Sequence, residues 1–193
     1  MTLTPELRAR AARVRLFLMD VDGVLTDGHL INVPGPDGQM YETKMFDSQD
    51  GIALQWLSWH AIQTGVISGR VSPATETRAR QVNMTYVYQG HIEKIPILEE
   101  IQQKSGIALE EMAYAGDDLT DVVVMRRVGL AIAVANAREE VKQAAHHVTS
   151  ARGGSGAVRE ICELLLEAHG KWQAILEKYE VTRGAAPRPP APE

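Results

Sequence analysis

One stretch restricts the fold of this 193-residue chain more than any other. Leu16-Phe17-Leu18-Met19 is an apolar run that stops abruptly at Asp20-Val21-Asp22-Gly23, two carboxylates one residue apart with a glycine behind them. The pattern reads as a buried strand whose C-terminal end opens into a polar loop. In α/β sheets that edge is where ligands gather. In extended backbone residues two apart share a face, as Asp20 and Asp22 would, and a turn is expected over residues 21–23, which Gly23 permits. Brought together, the two acids repel each other unless something positive lies between them. A hard divalent cation with oxygen ligands is the usual solution.

The strand-then-polar-loop pattern repeats downstream. Ile62 to Ile67 reads as a second buried strand, ending in Ser68-Gly69-Arg70, a hydroxyl, a glycine and a guanidinium suited to phosphate or carboxylate oxygens. A third strand near Tyr86 to Gln89 leads to Gly90-His91-Ile92-Glu93-Lys94, which opens a helix reaching about Ser105. A lysine in a first helical turn opposes the helix dipole by about a few tenths of a kcal/mol, so Lys94 reads as a cation aimed at an anion beside the sheet. Met112 to Ala115 is a fourth strand, followed by Gly116-Asp117-Asp118-Leu119-Thr120-Asp121. Asp118 and Asp121 share a helical face, and three aspartates so close together exceed what helix capping needs. Leu130 to Val134 and His147 to Thr149 supply further strands.

Helices are predicted over 5–13, begun by Thr4-Pro5, over 50–59 with Asp50 placed to begin it, over 73–81, over 138–145 and as one long apolar stripe over 157–180. Residues 29–33 and 40–46 flank Pro34-Gly35-Pro36-Asp37-Gly38, a hairpin signal, and this flap lies close enough in sequence to the acidic pair to cover a site. Residues 151–156 read as a flexible connection. After Thr182 the proline-rich composition of 183–193 predicts disorder.

Strand and helix alternate at least four times, which predicts a parallel sheet with helices on both faces, one domain over 1–182 with the flap at about 29–46. In that architecture every βα loop emerges at the same edge. Asp20, Asp22, Ser68, Lys94 and Asp117 therefore converge on one crevice. Acids for Mg²⁺, a hydroxyl and a lysine for anionic oxygens, and a carboxylate free to attack suit phosphoryl transfer through an aspartyl-phosphate.

Composition narrows the partners. With 45% hydrophobic and 23% charged residues the chain matches ordinary globular proteins. A formal charge of -5 argues against a general binder of nucleic acid or membrane surfaces. The one cysteine, Cys162, excludes an internal disulfide and lies in an apolar helical stripe. No apolar run reaches the length of a membrane span, and residues 2–15 lack the apolar block of a signal peptide, so a cytoplasmic protein is expected.

Taken in order, Asp20-Val21-Asp22-Gly23-Val24, Ser68-Gly69-Arg70, Lys94 and Gly116-Asp117-Asp118 with Asp121 resemble the four motifs of the haloacid dehalogenase superfamily of phosphohydrolases. Within it, residues from about 8 to 170 look like the small capless bacterial phosphatases of 3-deoxy-D-manno-octulosonate 8-phosphate. That closer likeness rests on Leu25-Thr26-Asp27-Gly28, Phe46 with Asp50-Gly51, Tyr88-Gln89-Gly90, Val128-Gly129-Leu130, Ala133-Val134-Ala135 and the run from Gly153 to Glu160. The resemblance implies a Rossmann-like sheet without a cap domain and a role in lipopolysaccharide precursor synthesis. It makes Asp20 the nucleophile and Asp22 the general acid, then base. The Asp20 carboxylate, the Asp22 main-chain carbonyl and Asp117 would hold Mg²⁺, with Asp118 and Asp121 orienting the metal and its waters. Ser68 and Lys94 would bind the phosphoryl group. Residues matching Asp50-Gly51, Gly69-Arg70 and Arg78, with Asp22 and Lys94, would hold the phosphorylated sugar acid. Similar enzymes are homotetramers in which neighbouring hairpins and C-terminal segments close the site.

Two departures bear on the substrate. Gln49 and Gln55 stand where the best-matched members of that group carry arginines. A 9-phosphorylated nonulosonate or another sugar phosphate is the rival substrate, and a catalytically silent scaffold of the same fold is the reading from another class.

Overall fold

The computed structural model describes residues 4–181; the predicted tail at 183–193 lies outside them. In chain order the elements are α1 (Pro5–Ala11), β1 (Leu16–Met19), β2 (Ile31–Pro34), β3 (Met40–Thr43), α2 (Ser48–Trp59), β4 (Gln63–Ser68), α3 (Pro73–Gln81), β5 (Tyr86–Gln89), α4 (Ile95–Ser105), β6 (Met112–Gly116), α5 (Leu119–Met125), β7 (Leu130–Ala133), α6 (Glu139–Gln143), β8 (His147–Val148), α7 (Ala157–Ala168) and α8 (Trp172–Lys178).

Six strands form one parallel sheet in the order β5-β4-β1-β6-β7-β8. All four β1 side chains are fully buried, and each such burial contributes about 1.5–3 kcal/mol. From β1 the chain steps outward through β4 to β5, returns to β6, and then steps the other way to β7 and β8. Right-handed crossovers put helices made on the outward and opposite legs on opposite faces. Accordingly α1, α2, α7 and α8 pack as one layer and α4, α5 and α6 as another. The strand order reverses between β1 and β6, so the loops after them part and leave a crevice at their C-terminal ends.

The hairpin forms as expected, β2 pairing antiparallel with β3 as a separate two-stranded sheet. Three local expectations are corrected. The cap of α2 is Asp47, whose side chain accepts from Gln49 N at 2.6 Å and Asp50 N at 3.3 Å, and Asp50 lies inside the helix. The helix expected over 138–145 is confined to α6. The single helix expected over 157–180 is two. Gly170 adopts φ +66°, Lys171 N donates to Leu166 O at 2.7 Å and Gly170 N to Glu167 O at 3.0 Å. This Schellman ending stops α7 although the apolar stripe runs on through Trp172 and Ile175.

Candidate active site

The turn expected over residues 21–23 is present. Asp20 N still follows the sheet, donating to Ala115 O at 3.0 Å, after which the Val21 carbonyl accepts from Leu25 N at 2.9 Å and Thr26 N at 3.0 Å. That helical turn, with Gly23 at φ +92°, sets Asp20 and Asp22 on the same cleft. The loop is braced from the far end of the chain. Asn136 Nδ2 donates to Gly23 O at 2.9 Å, Asn136 Oδ1 accepts from Gly153 N at 2.6 Å, and Gly154 N donates to Val24 O at 3.0 Å. A side chain at Gly153 would overlap the Gly23 carbonyl. The glycine-rich stretch is therefore not a free connection. Its glycines allow one backbone to lie directly on another.

Lys94, the cap residue of α4, has a side chain only 2% exposed. Its Nζ donates to Asp121 Oδ1 at 2.7 Å and to the Tyr114 hydroxyl at 3.0 Å, and lies 3.1 Å from Asp20 Oδ2. Tyr114 OH donates to the same Asp121 oxygen at 2.7 Å. The other Asp121 oxygen accepts from the main-chain N–H of Asp117 at 2.9 Å and of Asp118 at 3.2 Å. A charge this deeply buried is tolerated because every face of it is paired. Burial works against the Lys94 ammonium, but the Asp121 and Asp20 carboxylates outweigh it and raise its pKa. Tyr114, fully buried beside Asp121, is raised well above the usual phenol range.

Burial pushes Asp20 up to about 6, with Lys94 opposing and the Asp121 charge adding to the rise. Asp117 rises further, to about 7, through burial and then the charges of Asp121 and Asp20. Oxygens of Asp20, Asp117 and Asp121 lie within 4.8 Å of one another. Among the described residues nothing hydrogen-bonds to the buried Asp117 Oδ1. An unpaired carboxylate oxygen amid other carboxylates is the signature of a site made for a cation, and an all-oxygen donor set fits Mg²⁺. Asp121 is saturated by its four donors and acts by positioning Lys94 and the Asp117 loop. Of the three, Asp20 and Asp117 are the residues with oxygens left to hold the ion.

The cleft, about 260 Å³, is lined by Asp20, Asp22, Ser68, Gly69, Arg70, Ile92, Lys94, Asp117, Asp118 and Thr120. Ser68, the last residue of β4, is buried, and its Oγ accepts from Arg70 N at 3.2 Å, leaving its own proton to donate. Asp118 lies on the exposed rim, where Oδ1 caps α5 by accepting from Leu119 N at 2.7 Å.

Three residues expected at the substrate are not on this cleft. Asp50 is fully buried, its Oδ1 accepting from Arg159 N at 2.7 Å, and burial pushes its carboxyl up to about 6. Arg78 donates to the Asp47 carbonyl at 2.8 Å and lies over the Phe46 ring, and Gly51 leaves room for that guanidinium. Within one chain these residues join α2 to α3 and α7.

The hairpin supplies two residues that the sequence reading did not single out. Lys44, just beyond β3, donates to Asp22 Oδ1 and lies 3.3 Å from Glu42 Oε1. Glu42 in turn accepts from Arg70. The alternation of strand residues carries no sign of which hairpin side chains reach another loop.

Residues 67–161 match the model of the haloacid dehalogenase-like hydrolases. The chain is 41% identical over 169 residues to the 3-deoxy-D-manno-octulosonate 8-phosphate phosphatase KdsC of Escherichia coli (strain B / BL21-DE3), covering 88% of each. It is 42% identical over 162 residues to the protein of the same name from Yersinia pestis, covering 84% of each. It superposes, with a TM-score of 0.86 and 37% identity over 92% of this chain and 99% of the other, on the crystal structure of 3-deoxy-D-manno-octulosonate 8-phosphate phosphatase from Moraxella catarrhalis in complex with a magnesium ion, a phosphate ion and a KDO molecule.

Proposed function

The chain belongs to the haloacid dehalogenase-like hydrolases, and on that premise we propose that it is a Mg²⁺-dependent phosphatase that hydrolyses 3-deoxy-D-manno-octulosonate 8-phosphate to the free sugar acid and phosphate. What carries the reading is the meeting of Asp20, Asp117, Lys94 and Ser68 in one cleft, in a chain so similar along most of its length to phosphatases of that substrate.

The chemistry follows from the donors and acceptors. Asp20 attacks phosphorus, the bond from phosphorus to the sugar oxygen breaks, and Asp22 gives that oxygen its proton, leaving an aspartyl-phosphate. Asp22, now a carboxylate, takes a proton from the water that attacks the same phosphorus, and phosphate leaves Asp20. Lys94, fixed by Asp121 and Tyr114, faces the charge on the phosphoryl oxygens, and the Ser68 hydroxyl donates to them. Asp20, Asp117 and the Asp22 carbonyl would hold Mg²⁺, which would supply neutralisation of nucleophile and phosphate charge, with Asp118 on the rim free to meet its waters and Asp121 acting through Lys94 and the Asp117 loop. Gly69 and Arg70, on the cleft wall, are the residues of this chain best set to meet the rest of the substrate.

Leu30, Val33, Met40, Tyr41 and Met45 expose large apolar surface on and beside a hairpin that two strands alone stabilise marginally. This supports a homotetramer in which neighbouring copies cover the hairpin, an assembly that light scattering after gel filtration measures. One core running from Leu7 to Ile175 supports a single domain over 1–182. Among the described residues no helix is long and apolar enough to cross a membrane, in keeping with a cytoplasmic enzyme.

The test is a panel of steady-state rates with phosphate detection: the octulosonate 8-phosphate, a 9-phosphorylated nonulosonate and neutral sugar phosphates, each with Mg²⁺. Gln49 and Gln55 make the nonulosonate the informative rival. A preference for a neutral sugar phosphate overturns the sugar-acid assignment, and no Mg²⁺-dependent release from any ester overturns the phosphatase.

A further inference from the structure

We infer that Lys44 is a positioning residue for proton transfer: it pins Oδ1 of Asp22, so that Oδ2 is the oxygen that gives and takes the proton. The inference rests on the phosphatase reading and assigns a part to a residue outside its motifs.

The Lys44 side chain is only 2% exposed and reaches back from the hairpin to the loop after β1. A buried ammonium is stable only against charged or strongly polar partners. Lys44 has two, Asp22 Oδ1 and Glu42 Oε1, and Glu42 also holds Arg70. The series Asp22, Lys44, Glu42, Arg70 alternates in sign and ties the loops after β1 and β4 to the hairpin. The two Asp22 oxygens are thereby made unequal. Oδ1 is engaged, while Oδ2 is buried and without a hydrogen-bond partner among the described residues. A carboxyl group held by one oxygen loses rotational freedom and presents the other in a fixed direction, which is what a proton-transfer group needs. In the first step the proton leaves Oδ2 for the sugar oxygen as the bond from phosphorus to that oxygen breaks. Because Lys44 is carried by the hairpin, seating the hairpin and aiming the acid become one event.

The experiment compares leaving groups. An alkoxide needs a proton to leave, whereas p-nitrophenolate departs without one. For Lys44→Met, kcat/KM on an alkyl phosphate is expected to fall about 10²-fold and on p-nitrophenyl phosphate less than about threefold, since general acid help is worth roughly 10²–10⁴. Lys44→Arg, which restores a cationic donor, is expected to keep the alkyl-to-aryl ratio within about threefold of the unmutated protein. Lys44→Gln repeats the test should the methionine variant fail to fold. Equal losses on both esters, no loss on either, or a raised KM with kcat retained on the alkyl ester would each overturn the inference. The ratio is read on whichever alkyl phosphate the unmutated enzyme hydrolyses, so a wrong substrate and a wrong role for Lys44 give different results.

Discussion

A β-carbon on Gly23 would occupy the space taken by the Asp117 carboxylate, so the loops after β1 and β6 approach to a separation that only glycine allows. Gly23 also has φ +92°, where a side chain costs about 1–2 kcal/mol. Gly23→Ala incurs both penalties, and the overlap is relieved only if Asp117 moves. The expected outcome is a lower Tm together with a loss of about 10²-fold in activity and a higher Mg²⁺ requirement, since displacing a positioned group can cost that much. Thermal unfolding and a Mg²⁺ titration of phosphate release check it. An unchanged titration would mean that the contact does not shape the metal site.

Asp117 is strained by design of its surroundings. Burial, then the charges of Asp121 and Asp20, raise its pKa from 3.8 to about 7. A carboxyl shifted upward supports the fold fully below its unfolded value and loses that support as the pH rises through the folded one. Asp117→Asn removes the ionisation. In metal-free buffer its stability relative to the unmutated protein is expected to grow from pH 5 to pH 8, by on the order of 1–3 kcal/mol after allowing for partial exposure. Urea unfolding in EDTA at both pH values measures this, and a gap that narrows towards pH 8 contradicts it. Activity is lost in the same variant, because Mg²⁺ loses a charged ligand.

The same shifts make metal binding a titration. Mg²⁺ requires Asp20 and Asp117 as carboxylates, and burial with neighbouring negative charge starts them near 6 and 7. Apparent Mg²⁺ affinity is therefore expected to fall by about tenfold or more per pH unit once the pH drops below about 6. Calorimetry in buffers of different ionisation enthalpy should register proton release at pH 6.5, an experimental setting chosen between the two values. Chelation with EDTA should stop phosphate release, and restored Mg²⁺ should return it. Heats independent of the buffer would remove the link between these carboxylates and the ion.

How much of this could be read from the sequence depends on whether the signal was local. Asp20, Asp22, Ser68, Lys94 and Asp117 each end or follow a strand, and parallel topology then fixes the edge at which they emerge. The placement of Lys94 against the helix dipole marked it as a partner for anions, which is how it pairs with Asp20 and Asp121. Other features depended on contacts distant in sequence. Lys44 meets Asp22 across the hairpin, and nothing in the residues 40–46 distinguishes it from a solvated strand lysine. Asp50 reads as a helix start because Asp47, three residues earlier, lies outside any element the sequence pattern marks. Gly170 was outweighed by an apolar stripe that continues on both sides of it. The bracing of Gly23 by residues more than a hundred positions away has no sequence period at all.

Asn136 both donates to Gly23 O and accepts from Gly153 N, so it closes the contact between the first loop and the glycine-rich stretch. Asn136→Ala leaves a main-chain carbonyl and a main-chain N–H without these partners, each worth about 1–3 kcal/mol if it stays buried. For a chain of this size 1 kcal/mol corresponds to roughly 2–4 °C, so the two losses together are expected to lower Tm by about 4–24 °C. Asn136→Asp keeps the acceptor for Gly153 but turns a second oxygen towards the Gly23 carbonyl, and should be no more stable than the alanine variant. The loop also carries Asp20 and Asp22, so kcat is expected to fall about tenfold in Asn136→Ala while the far-ultraviolet spectrum is unchanged, because the sheet does not depend on this contact. Loosening of the loop predicts a larger loss at low Mg²⁺, where no ion holds Asp20 and Asp117 together, than at saturating Mg²⁺. A loss of the same size at every Mg²⁺ concentration would show that Asn136 supports stability alone and has no bearing on how the two aspartates are held.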